Sequence, residues 1–409
     1  CCPAESEDIP QTSSMKSYDA GKLSNWRLFS LISLVSTLAI YVLTLAPTVQ
    51  SFDSAELTVG ARALGFVHAP GYPLYMLLGN GFSWLPFGDV GLRLNLMSAV
   101  FASLAILVLF WTLKWDLDSP FLAASVLLLF ATIPAFWSQA LRAEVYTLHV
   151  FLMASVIHLW RRAHETGRMG WYVLAFVVLG LGLANHTTTL LLWGTLLILL
   201  IWETPRFRLL ALAGTGLGLA TTAILYLYFP LRSFADPAID YINAYFNVDL
   251  GSLSGVWWLF SARMFQHALY LGPDWGHVAN EILEFGVSLW DGFLGIGVVL
   301  GIWGWWRLGR RQRLWNRLLS IYFLLNVLFY ALYHVVDKDV MFVPAYMVWC
   351  VWVAVGLGEL SNWISEQIPA VSIQSATTIA GSVLLLVAGL GLALNWQSVS
   401  LHMNQKVYE

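Results

Sequence analysis

Apolar stretches long enough to cross a bilayer recur along nearly the whole of this 409-residue chain. A helix needs about 20 such residues to traverse a hydrocarbon core of about 30 Å. Inside that core every backbone amide must be satisfied within the protein, which restricts what can span it. Helical spans are expected near Trp26–Ala46, Leu92–Leu113, Phe121–Phe136, Val145–Trp160, Trp171–Ala184, Thr188–Trp202, Leu209–Phe229, Val287–Trp306, Leu318–His334, Val343–Leu360 and Thr377–Leu394. The expected fold is therefore an all-α integral membrane protein with about eleven transmembrane helices. Composition agrees: 58% of residues are hydrophobic and 11% charged, against roughly 25% charged in soluble domains.

Lys and Arg in short loops are retained on the cytoplasmic side, so they orient the layout. With the N-terminus inside, the inner loops hold Lys16, Lys22, Arg27, Lys114, Arg161, Arg162, Arg168, Arg206, Arg208, Arg307, Arg310, Arg311, Arg313 and Arg317. The outer set is half as large: Arg62, Arg93, Arg142, Arg232, Arg263, Lys338 and Lys406. Because charge follows topology and does not pool on one basic face, nucleic acid is not an expected partner. Cys1, Cys2 and Cys350 offer neither a disulfide framework nor metal-ligand spacing. Residues 1–25 form a polar N-terminal segment, with Met15 a candidate true start and 1–14 a candidate artefact. The hydrophobic run after it exceeds the core of a signal peptide and reads as a retained span. Residues 26–394 read as one membrane domain and 395–409 as an outer tail.

Two expected outer loops are long, from about Pro47 to Gly91 and from about Pro230 to Gly286. In the first, Asp53–Leu64 and Tyr72–Leu85 read as short juxtamembrane helices, joined by the stiff turn His68-Ala69-Pro70-Gly71-Tyr72-Pro73. Asp53 and Glu56 share a helix face, suited to acid–base work on an acceptor. The same spacing is also that of a capping box with Asp53 as N-cap, and spacing alone leaves the two readings even. His68 suits phosphate binding or proton relay, against a favoured plain role in ending an interfacial helix. Arg62 reads as a snorkelling interface residue.

Arg142 and Glu144, between the third and fourth spans, form either a structural ion pair or a polar mouth to a wet cavity. Asn185-His186 sits at a further outer turn, where a satisfied turn histidine is equally ordinary. Arg232 offers a fixed, permanently charged fork suited to a lipid phosphate, with snorkelling an equal alternative. Asp337-Lys338-Asp339 reads as a solvated turn. All these groups fall on one side of the expected topology, and that joint placement says more than any one of them.

Several runs together resemble one membrane family. These are Phe52-Asp53-Ser54-Ala55-Glu56, His68-Ala69-Pro70-Gly71-Tyr72-Pro73-Leu74-Tyr75, Trp137-Ser138-Gln139, Glu144-Val145-Tyr146-Thr147-Leu148 and Asn185-His186. The family lies in the GT-C glycosyltransferase superfamily and includes the animal protein O-mannosyltransferase acting on receptor ectodomains. The resemblance spans residues 26–350 or so.

It implies a GT-C fold and a polyprenyl-phosphate-linked sugar donor, mannose foremost, with a protein or lipid hydroxyl as acceptor on the non-cytoplasmic side. That side would be outside the plasma membrane in a bacterium, or in the ER of a eukaryote. It also implies Asp53 as the catalytic carboxylate, Glu56 as its motif partner, and His68, Tyr72, Glu144, Tyr146, His186 and Arg232 at family positions. Charge chemistry then makes Arg232, with Arg142 or His186, the candidate for the departing phosphate. No cofactor is expected; two carboxylates near a phosphate could recruit Mg²⁺ or Mn²⁺, but the spacing shows no clear ligand set and no metal is predicted. Members of the family continue into a soluble outer portion, whereas this chain ends at Glu409, so either it is a fragment or loops alone recognise the acceptor. The competing readings are a multi-span secondary transporter and a lipid-binding membrane scaffold.

Overall fold

The structure, a computed structural model, describes residues 20–202, 208–269, 275–333 and 338–402. The N-terminal segment through residue 19 with Met15, together with Arg206, Asp337 and Lys406, lies outside the described residues. The described chain is helical, without strands beyond isolated bridges. The first five helices are α1 (Ala20–Thr44), α2 (Asp53–Ala63), α3 (Pro73–Ser83), α4 (Val90–Leu113) and α5 (Pro120–Ala131). Then come α6 (Pro134–Gln139), α7 (Tyr146–Thr166), α8 (Met169–Leu183), α9 (Thr189–Trp202) and α10 (Arg208–Tyr226). Short helices α11 (Tyr228–Ser233), α12 (Tyr241–Phe246) and α13 (Leu253–Phe260) precede α14 (Trp275–Gly292) and α15 (Ile296–Arg311). The chain closes with α16 (Arg313–Ala331), α17 (Lys338–Met341), α18 (Val343–Gln367) and α19 (Ile373–Val399).

Every expected span falls on helix, but not every one is a single straight crossing. Among the described residues, six helices are individually long and apolar enough to cross a membrane, or seven if one bent pair counts as a span. That pair is α14 and α15, which meet at 103°; the segment expected at Val287–Trp306 straddles the bend. The run Phe121–Phe136 is likewise split, because Pro134 lacks the N–H a continuing helix needs and instead starts α6. Helices α8 and α9 are apolar but short.

Helix α18 is the central element, with 89% of its apolar window buried, whereas α19 is 17% buried and turns Leu386, Leu390 and Leu394 outward. Glycine allows α15 to approach α18 closely: a Cβ on Gly304 would overlap the Trp352 carbonyl, and one on Gly356 the Leu300 carbonyl. Small residues at such crossings let backbones pack where lipid supplies no hydrophobic drive. At one end of the bundle, buried charges are paired. Arg161 meets Asp116 at 3.2 Å and Glu165 at 3.0 Å, and Glu359 accepts from Arg307 and Arg311. The opposite ends of α4, α7 and α18 converge on the site described next.

Candidate functional site

Asp53 and Glu56 begin α2, but not as a capping box. The residue preceding the helix is Phe52, with φ 57° and no side-chain cap, so Asp53 is already the first helical residue. Glu56 is committed elsewhere. Its two carboxylate oxygens accept from the His68 backbone N–H at 2.7 Å and face His68 Nδ1 at 2.7 Å. With a carboxylate opposite, Nδ1 carries a proton, and Nε2 faces the Tyr72 hydroxyl at 2.8 Å. Burial works against a charged His68 ring, but the hydrogen bond and charge of Glu56, with Asp53 and Glu144 beyond, outweigh it and raise the pKa above its ordinary value. Burial drives the Tyr72 phenol well up, so it stays protonated, and its hydroxyl reaches the Ala69 carbonyl at 3.4 Å.

The turn that delivers these groups is fixed by packing. Gly71 has φ +85°, and a Cβ there would lie 2.5 Å from Phe229 Cζ and 2.7 Å from Leu259 Cδ2. Tyr72 follows in the left-handed region at φ 48°. Non-glycine residues held there store strain of about 1–3 kcal/mol, and such positions gather at functional sites. The end of α10 and the loop after it clamp the first loop. Tyr226 donates to the Pro70 carbonyl, Tyr228 to the Gly65 carbonyl, and Phe66 exchanges backbone bonds with Ile239 and Tyr241.

Asn95, fully buried in α4, binds two other segments of the chain at once. Its Nδ2 donates to the Ala46 and Thr48 carbonyls at 2.9 Å each, and its Oδ1 accepts from the Ala143 N–H at 2.8 Å. It thereby sets the segment of Arg142 and Glu144 beside the loop that carries Asp53. The Leu74 N–H donates to the Ala184 carbonyl at 3.2 Å, tying α3 to the turn that bears His186.

These links close a cavity of about 630 Å³, within the usual range of about 300–1,000 Å³ for small-molecule sites. Asp53, Glu56, His68, Tyr72, Arg142, Glu144, Tyr146 and His186 all line it. Arg142 Nε stands 3.5 Å from Glu144, which is buried. Among the described residues, the Asp53 carboxylate takes no hydrogen bond or ion pair, which leaves it open to a ligand. Ligand atoms of Asp53, Glu56 and His68 lie within 4.8 Å of one another, a grouping of the kind that can hold a cation.

Arg232 is placed elsewhere: its Nε donates to the Leu64 carbonyl at 3.0 Å and its Nη2 to that of Ala63 at 3.3 Å, so it caps the C-terminus of α2. Arg62 stacks over Trp84 at 3.9 Å. The sequence reading passed over Asn95, Thr188 and Tyr330. The signal for Asn95 was a carboxamide in an otherwise apolar span, where a polar group is costly without a partner.

A bundle of membrane-crossing helices with a cavity at one end that gathers charged groups, roofed by two long loops, has counterparts among solved structures. The structure of ArnT from Cupriavidus metallidurans bound to undecaprenyl phosphate superposes with a TM-score of 0.55 at 14% identity, over 93% of this chain and 73% of that one. Its apo form gives the same TM-score. Part of the chain is also similar in sequence to known proteins. Residues 53–209 fit the sequence model of the protein O-mannosyl-transferase TMEM260 N-terminal domain. Protein O-mannosyl-transferase TMEM260 of Mus musculus is 30% identical over 225 residues, and that of Dictyostelium discoideum 27% over 128. The matches cover 51% and 31% of this chain. The chain spans about a third of the mouse protein (31%) and 16% of the Dictyostelium one.

Proposed function

We propose that this chain is a membrane glycosyltransferase that moves mannose from a polyprenyl-phosphate donor to a protein or lipid hydroxyl on the non-cytoplasmic side. The observation that carries the reading is the single cavity that gathers Asp53, Glu56, His68, Arg142 and Glu144 from distant segments of the chain. Similarity to TMEM260 and to a protein solved with undecaprenyl phosphate supports the same chemistry. The loop-by-loop excess of basic residues supports the side. Polar groups gathered at helix ends, away from the midplane positions typical of transporter sites, favour an enzyme over a transporter.

The acceptor hydroxyl sits against Asp53, the one carboxylate of the Asp53–Glu56 pair left free by His68. Its oxygen attacks the anomeric carbon, its proton passes to Asp53, and the bond from that carbon to the phosphate oxygen breaks. The leaving group departs as polyprenyl phosphate with one more negative charge. Protonated His68, held by Glu56, and the Arg142 guanidinium meet that charge, and Tyr72 adds a hydroxyl donor. The proposal requires no resident divalent ion, so transfer should persist in EDTA. Labelled polyprenyl-phosphate mannose and an acceptor extract, supplied to the protein in nanodiscs, test it. Asp53→Asn should lower transfer by about 10²–10⁴-fold, the span expected for loss of a general base, with donor still bound. Donor that wild type neither binds nor consumes would refute the reading.

A further inference from the structure

The cavity has two chemically different halves. Every charged side chain among its described lining residues comes from α2, the turn after it, or the Arg142–Glu144 segment. The facing half is built by the start of α7, the turn between α8 and α9, and the end of α16. It presents Tyr146, His186, Thr188, Tyr330 and Tyr333 and, among the described residues, no Asp, Glu, Lys or Arg.

This half is polar without being charged. Burial, and then the positive charge of His68, hold the His186 pKa down to about 4, so its imidazole is neutral and offers one donor and one acceptor. Its Nδ1 is engaged by Thr188 Oγ1 at 2.7 Å. Thr188 Oγ1 is braced from behind by His149 Nε2 at 3.4 Å. The ring is thus fixed, with Nε2 left over. Tyr146 lies with its ring 5.9 Å from that of His186, and Tyr333 is stacked on Phe329 at 5.7 Å. Among the described residues, neither phenol hydroxyl nor His186 Nε2 has a hydrogen-bond partner in the protein. Oriented donors and acceptors beside aromatic faces match a ring that carries hydroxyls on its edge and C–H groups on its face.

Resting on the glycosyltransferase reading, we propose that this uncharged half is the subsite for the donor's sugar ring and that Tyr146, Tyr333 and His186 contact the sugar hydroxyls. The lipid phosphate then falls to the charged half, between His68 and Arg142.

Binding of two lipids to the protein in nanodiscs separates the subsite from the rest of the site: polyprenyl-phosphate mannose, and polyprenyl phosphate without sugar. Tyr146→Phe and Tyr333→Phe keep the rings and remove only the hydroxyls. Each should weaken the mannosylated lipid by about 3–10-fold, the worth of one hydrogen bond, and the double variant by more. The sugarless lipid should bind as to wild type. Variants that bind the mannosylated lipid as wild type does, or lose both lipids equally, would overturn the subsite while leaving the donor reading intact. Wild type that binds neither lipid would instead overturn the donor reading on which the subsite rests.

Discussion

Asn95→Leu is the sharpest test of how the two site-bearing segments are held together. Leucine keeps the volume of the side chain, so the substitution removes polarity and leaves packing nearly intact. Three bonds are lost: from Nδ2 to the Ala46 and Thr48 carbonyls, and from the Ala143 N–H to Oδ1. A buried backbone group stranded in this way costs about 1–3 kcal/mol. The Thr48 carbonyl is only partly buried and can recruit water, whereas the contacts to Ala46 and Ala143 are fully enclosed. The expected loss is therefore about 2–5 kcal/mol, with the two enclosed groups supplying most of it. Equilibrium unfolding in mixed micelles measures the loss, and hydrogen exchange at the Ala143 amide reports whether this bond is the cause. Activity should fall further than stability, because Arg142 and Glu144 lose their register against α2. A loss below about 1 kcal/mol, or unchanged exchange at Ala143, would refute the account.

Two further outcomes follow from the His68 turn. Glu56→Gln removes the hydrogen bond and charge that raise the His68 pKa and leaves the burial that lowers it, so the alkaline fall in transfer rate should move to lower pH. A pH profile identical to wild type would count against a charged His68. The sign for stability is the same. The folded-state pKa lies above the unfolded value of about 6.5, so the pairing contributes fully below that value and is lost as pH rises through the folded one. Gly71→Ala places a Cβ against Phe229 and Leu259 at φ +85°. Strain and overpacking together should cost about 2–5 kcal/mol, read as a lower unfolding midpoint with activity lost in proportion to the displaced Tyr72.

How much was legible in the sequence follows from the range of the interactions involved. Apolar runs act locally, so all eleven expected segments fall on helix, and the two juxtamembrane helices end within a residue or two of Asp53–Leu64 and Tyr72–Leu85. The bend between α14 and α15 was not legible, because a hydropathy pattern sums over a window and carries no direction. The even choice at Asp53 and Glu56 shows the same limit at the site. A capping box and a relay carboxylate share one spacing, and only the backbone at Phe52 and the arrival of His68 separate them.

Arg232 reverses the case. Its placement beside the outer loops suggested an anion, yet its nearest acceptors are the carbonyls at the end of α2, which any helix terminus exposes. In capping that helix it still bears on the site, since α2 carries Asp53 and Glu56 at its other end. The cation that does line the cavity, Arg142, is set there by Asn95, a residue whose three partners are scattered across nearly a hundred positions of sequence. Chemistry-bearing residues could be picked out by type, but the residues that aim them could not. Their signature is a set of hydrogen bonds between segments that meet only once the bundle has formed.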